Sequence, residues 1–182
     1  MEHATTRVGL DIVLPAAPTT LTWYGGGPGE AYPDTCAAAR IGRFTARVEE
    51  LQTPYLFPRE NGSRTGVRWA ELHGGPAGSS LRVSGPEPFS LAVRPWSAAA
   101  LDVAGHTTDL RPDGHLYLAL DAAQHGIGSA SWRARRTARP SARCRTDVLR
   151  RGIARRLTVS QVGSTDGGAT DSRTMRWVPS TT

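Results

Sequence analysis

Residues 23–36 read WYGGGPGEAYPDTC, with glycine at positions 25, 26, 27 and 29 and proline at 28. A phosphate-cradling glycine loop is the first reading to test. Such a loop ends in Gly-Lys-Ser/Thr and opens a helix, and neither feature follows here. Gly25, Gly27 and Gly29 spell G-x-G-x-G, but Glu30 stands where a dinucleotide fingerprint needs its third glycine. Pro28 also removes one of the backbone N–H donors that would hold phosphate. The passage therefore reads as a tight connection between strands, with positive φ expected at several of its glycines.

The flanking sequence supports strands on both sides. In residues 6–14, TRVGLDIVL, the side chains of Val8, Leu10, Ile12 and Leu14 share one face, the period of a half-buried strand. TTLTWY, residues 19–24, is β-branched and aromatic. Residues 38–51, AARIGRFTARVEEL, fit both periods, but Gly42 weakens a helix, and Arg40, Phe44, Ala46 and Val48 align on one strand face. TPYLFPRENGSR is a loop, because Pro54 and Pro58 forbid regular pairing and Asn61-Gly62 signals a turn. TGVRWAELH, SSLRVSG and FSLAVRP follow as three strands between Gly/Pro turns, with Trp69 expected in the core. Ser97 caps a short helix that stops by Gly105, HTTDL and HLYLALD are further strands around the turn RPDGH, and QHGIGSASW is a glycine loop. Many short strands at regular spacing predict an all-β, antiparallel sandwich or barrel.

Charge divides the chain. Residues 1–132 hold 10 Arg and 13 Asp/Glu, a net of −3, whereas residues 133–182 hold 12 Arg and 3 Asp/Glu, a net of +9. Past Trp132 there is no Phe or Tyr, and RLTVSQV is the one plausible strand. Ordering a residue costs roughly 1–2 kcal/mol, and this polar, like-charged composition buries little to offset it. Two regions are expected: a β domain at 1–132 and an Arg-rich, mostly disordered tail at 133–182. Neither a leader-like N-terminus nor 18 apolar residues in a row is visible, so a soluble, cytoplasmic protein without a membrane partner is the expectation.

Catalytic and ligand chemistries find few residues. Glu49 and Glu50 are adjacent, so on a strand they point to opposite faces and do not make a carboxylate pair. The five histidines are scattered without metal-ligand spacing, and Cys36 with Cys144 is too few for a zinc site or a disulfide framework. GSAS is not a nucleophile elbow. The tail could adhere to polyanions, but it lacks the interleaved aromatics of a stacking surface, and no specific nucleic acid is expected. His125 and Trp132 bracket the glycine loop. Trp132 is open between a core position and an exposed face that stacks on a sugar.

Taken together, LTWYGGGPGEAYPD, LQTPYLFPRENGSRTGVRWAEL, LRVSGPEPFSLAVRPWSAAALDVAGHTTDL and LDAAQHGIGSASW resemble the C-terminal, small-chain domain of bacterial β-galactosidases of the glycoside hydrolase family 2 type. The family pattern runs W-x-G-x-G-P-x-E-x-Y-x-D, then P-Y-x-x-P-x-E-N-G-x-R, then an H-x-G-x-G loop and often a tryptophan, in order, over residues 7–132. The resemblance implies an antiparallel β-supersandwich of the galactose-mutarotase-like type, of which this chain holds the second half. It implies no catalytic residue here, because the barrel with its glutamates lies elsewhere and alone needs about 250 residues. It implies no cofactor in this chain, the family's Mg and Na being bound elsewhere. It gives Trp132 alone the role of stacking on the substrate, in a loop one residue shorter than the family's and with Ser129-Ala130 in place of acidic residues; His125, from its own place in the glycine loop, is a second candidate substrate contact. The implied partners are the catalytic chain or remaining domains of a β-galactosidase, and a galactoside such as lactose in the assembled enzyme. From Arg133 onward the sequence departs from the family, as a frame-altered or degenerate end would. A stand-alone carbohydrate-binding module and a non-functional truncated remnant are the alternatives.

Overall fold

A computed structural model of the chain describes residues 7–124, 155–162 and 171–177. Their eight strands form one antiparallel sheet: β1 Arg7–Pro15, β2 Thr20–Gly27, β3 Arg40–Arg47, β4 Arg64–His73, β5 Ser80–Arg94, β6 His115–Gln124, β7 Arg155–Val162 and β8 Asp171–Trp177. The order is β1-β6-β5-β4-β2-β3, with β7 also on β5 and β8 on β7. This all-β, antiparallel arrangement agrees with the expected sandwich class. β1 keeps its predicted alternation, and Ile12 and Leu14 pack against the core.

The glycine passage is not the expected turn. β2 runs through it to Gly27, pairing Gly25 with Gly42, Gly26 with Ile41 and Gly27 with Arg40 on β3. None of these three glycines has positive φ. Close approach explains them instead. A Cβ on Gly25 would lie 2.7 Å from the Val67 Cα, and one on Gly26 would lie 2.7 Å from the Thr65 carbonyl oxygen. The missing side chains let β2 lie against the bulged start of β4, where the register slips on both sides of Val67. Pro28, reached through a cis peptide bond, then ends the strand.

SSLRVSG and FSLAVRP are one strand, β5, rather than two strands joined by a turn. Pro86 and Pro88 cannot donate to a ladder, so the chain bulges there: β4 pairing jumps from Trp69–Ser84 to Val67–Phe89. The free side of β5 changes neighbour at the same place, from β7 along Ser80–Ser84 to β6 along Ser90–Arg94. One long strand thus carries two wings of the sheet. In the tail, the predicted strand forms as β7, and β8, which the sequence analysis did not anticipate, pairs along it. The rest of residues 133–182 lies outside the described residues.

Two smaller expectations also change. Ser97 Oγ accepts from the Ala100 N–H and caps the helix α1 Ala98–Val103 as predicted, but HTTDL is a 3₁₀ turn at Thr107–Asp109. There the Asp109 carboxylate accepts from the Gly105 and His106 amides, which holds the chain out of extended geometry. Among the described residues the fully buried tryptophan is Trp23, not Trp69. Trp69 is half-buried on the outer face between the Arg43 and Arg82 guanidiniums, 5.8 and 4.9 Å from its ring centroid. Trp23 packs 5.5 Å from Phe44 in a core built with Leu21, Val67, Leu72, Phe89, Leu91, Leu118 and Leu120.

Candidate functional site

The two motifs on either side of β3 meet in space. Glu30, just after the end of β2, turns its carboxylate onto the loop that leads into β4. Its Oε2 accepts from the Thr53 hydroxyl at 2.9 Å and the Gly62 amide at 2.5 Å, and its Oε1 accepts from the Tyr55 hydroxyl at 2.5 Å. Gly62 takes φ 75, a value that favours glycine, but residues 61–63 form irregular chain leading into β4 rather than the expected turn. Asn61 locks the loop from inside, because its Oδ1 accepts from the Thr53 amide and its Nδ2 donates to the Arg59 carbonyl.

Buried arginines bind this loop to the sheet. Arg64 donates through one nitrogen to the Leu51 and Gly62 carbonyls, both at 2.7 Å, and lies 5.4 Å from the Trp23 ring centroid. Arg94, at the end of β5, donates to the Asn61 carbonyl at 2.9 Å and to Glu60 Oε1 at 2.9 Å. Glu60 also receives Arg7 at 3.0 Å, and Arg7 reaches Asp121 on β6 at 2.7 Å. Three carboxylates, Glu30, Glu60 and Asp121, thus share one cluster with three guanidiniums, Arg7, Arg64 and Arg94. Charge balance and multiple hydrogen bonds make such burial tolerable.

The environment shifts the groups in the directions burial dictates. Burial pushes Arg64 down to about 10, with Glu30 and Tyr32 opposing. Burial also lifts Asp121 to about 6; the hydrogen bond and charge of Arg7 oppose the rise, while Glu60 and Asp11 add to it. The hydrogen bond to Glu30, then burial, raises the Tyr55 phenol to about 12. Tyr32 is raised too, first by burial and then by Glu30 and Glu60. The Tyr32 hydroxyl and the Arg64 Nε are buried without a hydrogen-bond partner among the described residues.

Chemically the cluster is a scaffold. Each of its carboxylates is held by protein donors, which suits fixing a loop better than moving a proton to a substrate. Glu49 and Glu50 do not pair for acid/base work either. They sit in a 3₁₀ turn, Val48–Leu51, rather than on a strand, with Glu49 beside the Arg47 guanidinium and Glu50 accepting from the Arg47 amide. Among the described residues, no group of three His, Cys, Asp or Glu could hold a metal ion. No helix among them is long and apolar enough to cross a membrane.

Trp132 and His125, the predicted substrate contacts, lie outside the described residues. The root of their loop does not. Gln124, the last residue of β6, donates to the Ser63 hydroxyl at 2.9 Å, next to Gly62. Sequence reasoning quoted Glu30, Glu60, Asn61 and Arg64 as motif letters without assembling them. It passed over Arg7, Arg94 and Asp121. The available signal was Arg94 itself, a charge closing the apolar run FSLAV, which asks for a buried partner.

Comparison with known proteins bears on this arrangement. The family model for the β-galactosidase small chain matches residues 1–147. A β-galactosidase of Vibrio cholerae is 42% identical over 127 residues, which is 69% of this chain and 12% of that protein. One of Psychromonas ingrahamii is 41% identical over 127 residues, 69% of this chain and 12% of that protein. One of an Arthrobacter species is 38% identical over 131 residues, 68% of this chain and 12% of that protein. The chain therefore spans about an eighth of the length of the curated relatives it matches.

Proposed function

The chain belongs to the β-galactosidase small-chain family, and from that premise we propose that it is the C-terminal or small-chain part of a β-galactosidase. In this reading it contributes scaffold and one aromatic substrate contact to a catalytic barrel carried on another segment or chain. The assembled enzyme hydrolyses terminal β-galactosides, and this part supplies neither nucleophile nor acid/base.

The observation that carries the reading is the joining of the two motifs at Glu30, with Gln124 tied to the same loop through Ser63. That connection ties Gln124, the residue that precedes position 125, to the loop that Glu30 holds. A rigid root is what a loop needs if it is to place an aromatic ring within ångströms of a sugar. Trp132 is assigned to that ring. An indole face covers the C–H face of a pyranose, excludes water and orients the glycosidic bond.

The test uses the full chain and the Vibrio cholerae β-galactosidase lacking its matching segment. The chain alone is expected to leave a nitrophenyl β-galactoside intact, and the mixture is expected to hydrolyse it. Trp132→Ala should lower turnover by the mixture. Hydrolysis by the chain alone would refute the reading. Galactoside binding by the isolated chain that Trp132→Ala abolishes would favour a stand-alone sugar-binding module.

A further inference from the structure

The loop pinned by Glu30 carries an apolar apex. Leu56 is 89% exposed and Phe57 is 64% exposed. Single exposed apolar side chains are ordinary, but adjacent large ones cost hydration and mark contact surfaces. These two are also held in place. On one side of them, Tyr55 is fixed by its hydroxyl on Glu30, and its ring lies 5.6 Å from the Arg59 guanidinium. On the other side Pro58 is buried, and Asn61 and Gly62 are bound as described above. A dipeptide presented by a braced loop loses little freedom when it is covered.

We infer that Leu56 and Phe57 form a plug that docks into an apolar recess on the part of the β-galactosidase that carries the catalytic barrel. The inference rests on the reading under Proposed function. Three observations favour that occupant. The matched stretch is 12% of the Vibrio cholerae relative, so the rest of such a protein offers a large covalent or associated partner surface. The plug hangs from the same Glu30-held loop to which Gln124, at the end of β6, is bonded through Ser63, so docking it also fixes the end of β6 relative to a partner. Finally, Glu60 is ion-paired with Arg7 and Arg94, Glu30 is hydrogen-bonded by Tyr55, and Arg59 lies against the Tyr55 ring, which leaves apolar contact as the main attraction the Leu56-Phe57 tip itself offers.

The experiment measures equilibrium binding of the full chain to the Vibrio cholerae enzyme lacking its matching segment, by sedimentation, for the parent, Leu56→Ser/Phe57→Ser and Trp132→Ala. Both plug positions are exposed, so the double variant should melt within about 2 °C of the parent, within the range of neutral surface substitutions. It is expected to bind at least ten-fold more weakly, about 1.4 kcal/mol. Trp132→Ala should bind as the parent does and lose turnover instead. In parallel, hydrogen exchange across residues 53–63 should slow in the complex. Equal binding by the double variant and the parent, or unchanged exchange at 53–63 in a formed complex, overturns the plug and leaves the proposed function standing. No binding by the parent overturns both.

Discussion

Replacing Glu30 tests whether the motif cluster holds the structure together. In Glu30→Ala three donors lose their acceptor at once. The Gly62 amide is buried, and an orphaned buried donor costs about 1–3 kcal/mol. The Thr53 and Tyr55 hydroxyls are half-buried, so water recovers part of their loss and each adds only about 0.5–1 kcal/mol. The expected total is about 2–5 kcal/mol, a large fraction of the roughly 5–15 kcal/mol of an ordinary domain. Glu30→Gln keeps one carbonyl acceptor and should lose about half as much. Urea unfolding followed by tryptophan fluorescence gives the free energies, and amide exchange at Gly62 reports the loop itself. Because the loop is tied down locally, its exchange should quicken even where global stability remains. The Tyr55 phenol should also titrate closer to 10 than to its present value of about 12. A Glu30→Ala chain within about 0.5 kcal/mol of the parent, with Gly62 equally protected, would falsify the scaffold reading of this carboxylate.

Further outcomes follow from the same geometry. Gly25→Ala should destabilise by about 1–3 kcal/mol, because backbone stands 2.7 Å from its new Cβ; Gly29→Ala, with nothing within 4 Å, should stay within about 0.5 kcal/mol in the same urea titration. Trp23→Ala should cost about 3–5 kcal/mol, whereas Trp69→Ala should cost about 1–2 kcal/mol from two stacked arginines; equal losses in the unfolding midpoint would contradict the core assignment. Asp121, lifted from 3.8 to about 6, gives a pH test. The native state holds this proton more tightly than the unfolded chain does, so its stabilising effect is full below about pH 4 and fades as pH rises to about 6. The span is at most about 3 kcal/mol at 1.36 kcal/mol per unit. Thermal melts of the parent and Asp121→Asn across pH 4–7 should differ in slope over that window, and parallel curves would refute the assignment.

How much of this was legible beforehand differs from element to element. The alternation of Val8, Leu10, Ile12 and Leu14 gave β1 directly, because a strand's period of two is local. The Ser97 cap was legible for the same reason, as it concerns the amide three residues on. The glycine passage was misread because two different causes put glycine in a chain. A turn needs φ > 0, and a close approach needs the absent Cβ; only the position of Val67 and Thr65 across the ladder distinguishes them. The strand β8 was missed because its residues do not form a strongly apolar face, so it is recognised through its pairing with β7.

The sequence alone determined the class of the domain and its family, because periodicity, turn residues and ordered motifs are written along the chain. It also named the letters of the site: Glu30, Glu60, Asn61, Gly62 and Arg64. Tertiary structure decided what they are for. Glu30 meets Gly62 across 32 positions, and Arg7 meets Asp121 across 114. Such a partnership depends on which strands become neighbours. Strand order β1-β6-β5-β4-β2-β3 is set by packing of the whole sheet, and no local pattern specifies it. That order turned WYGGGPGE from a supposed loop into the strand and anchor on which the candidate site is built.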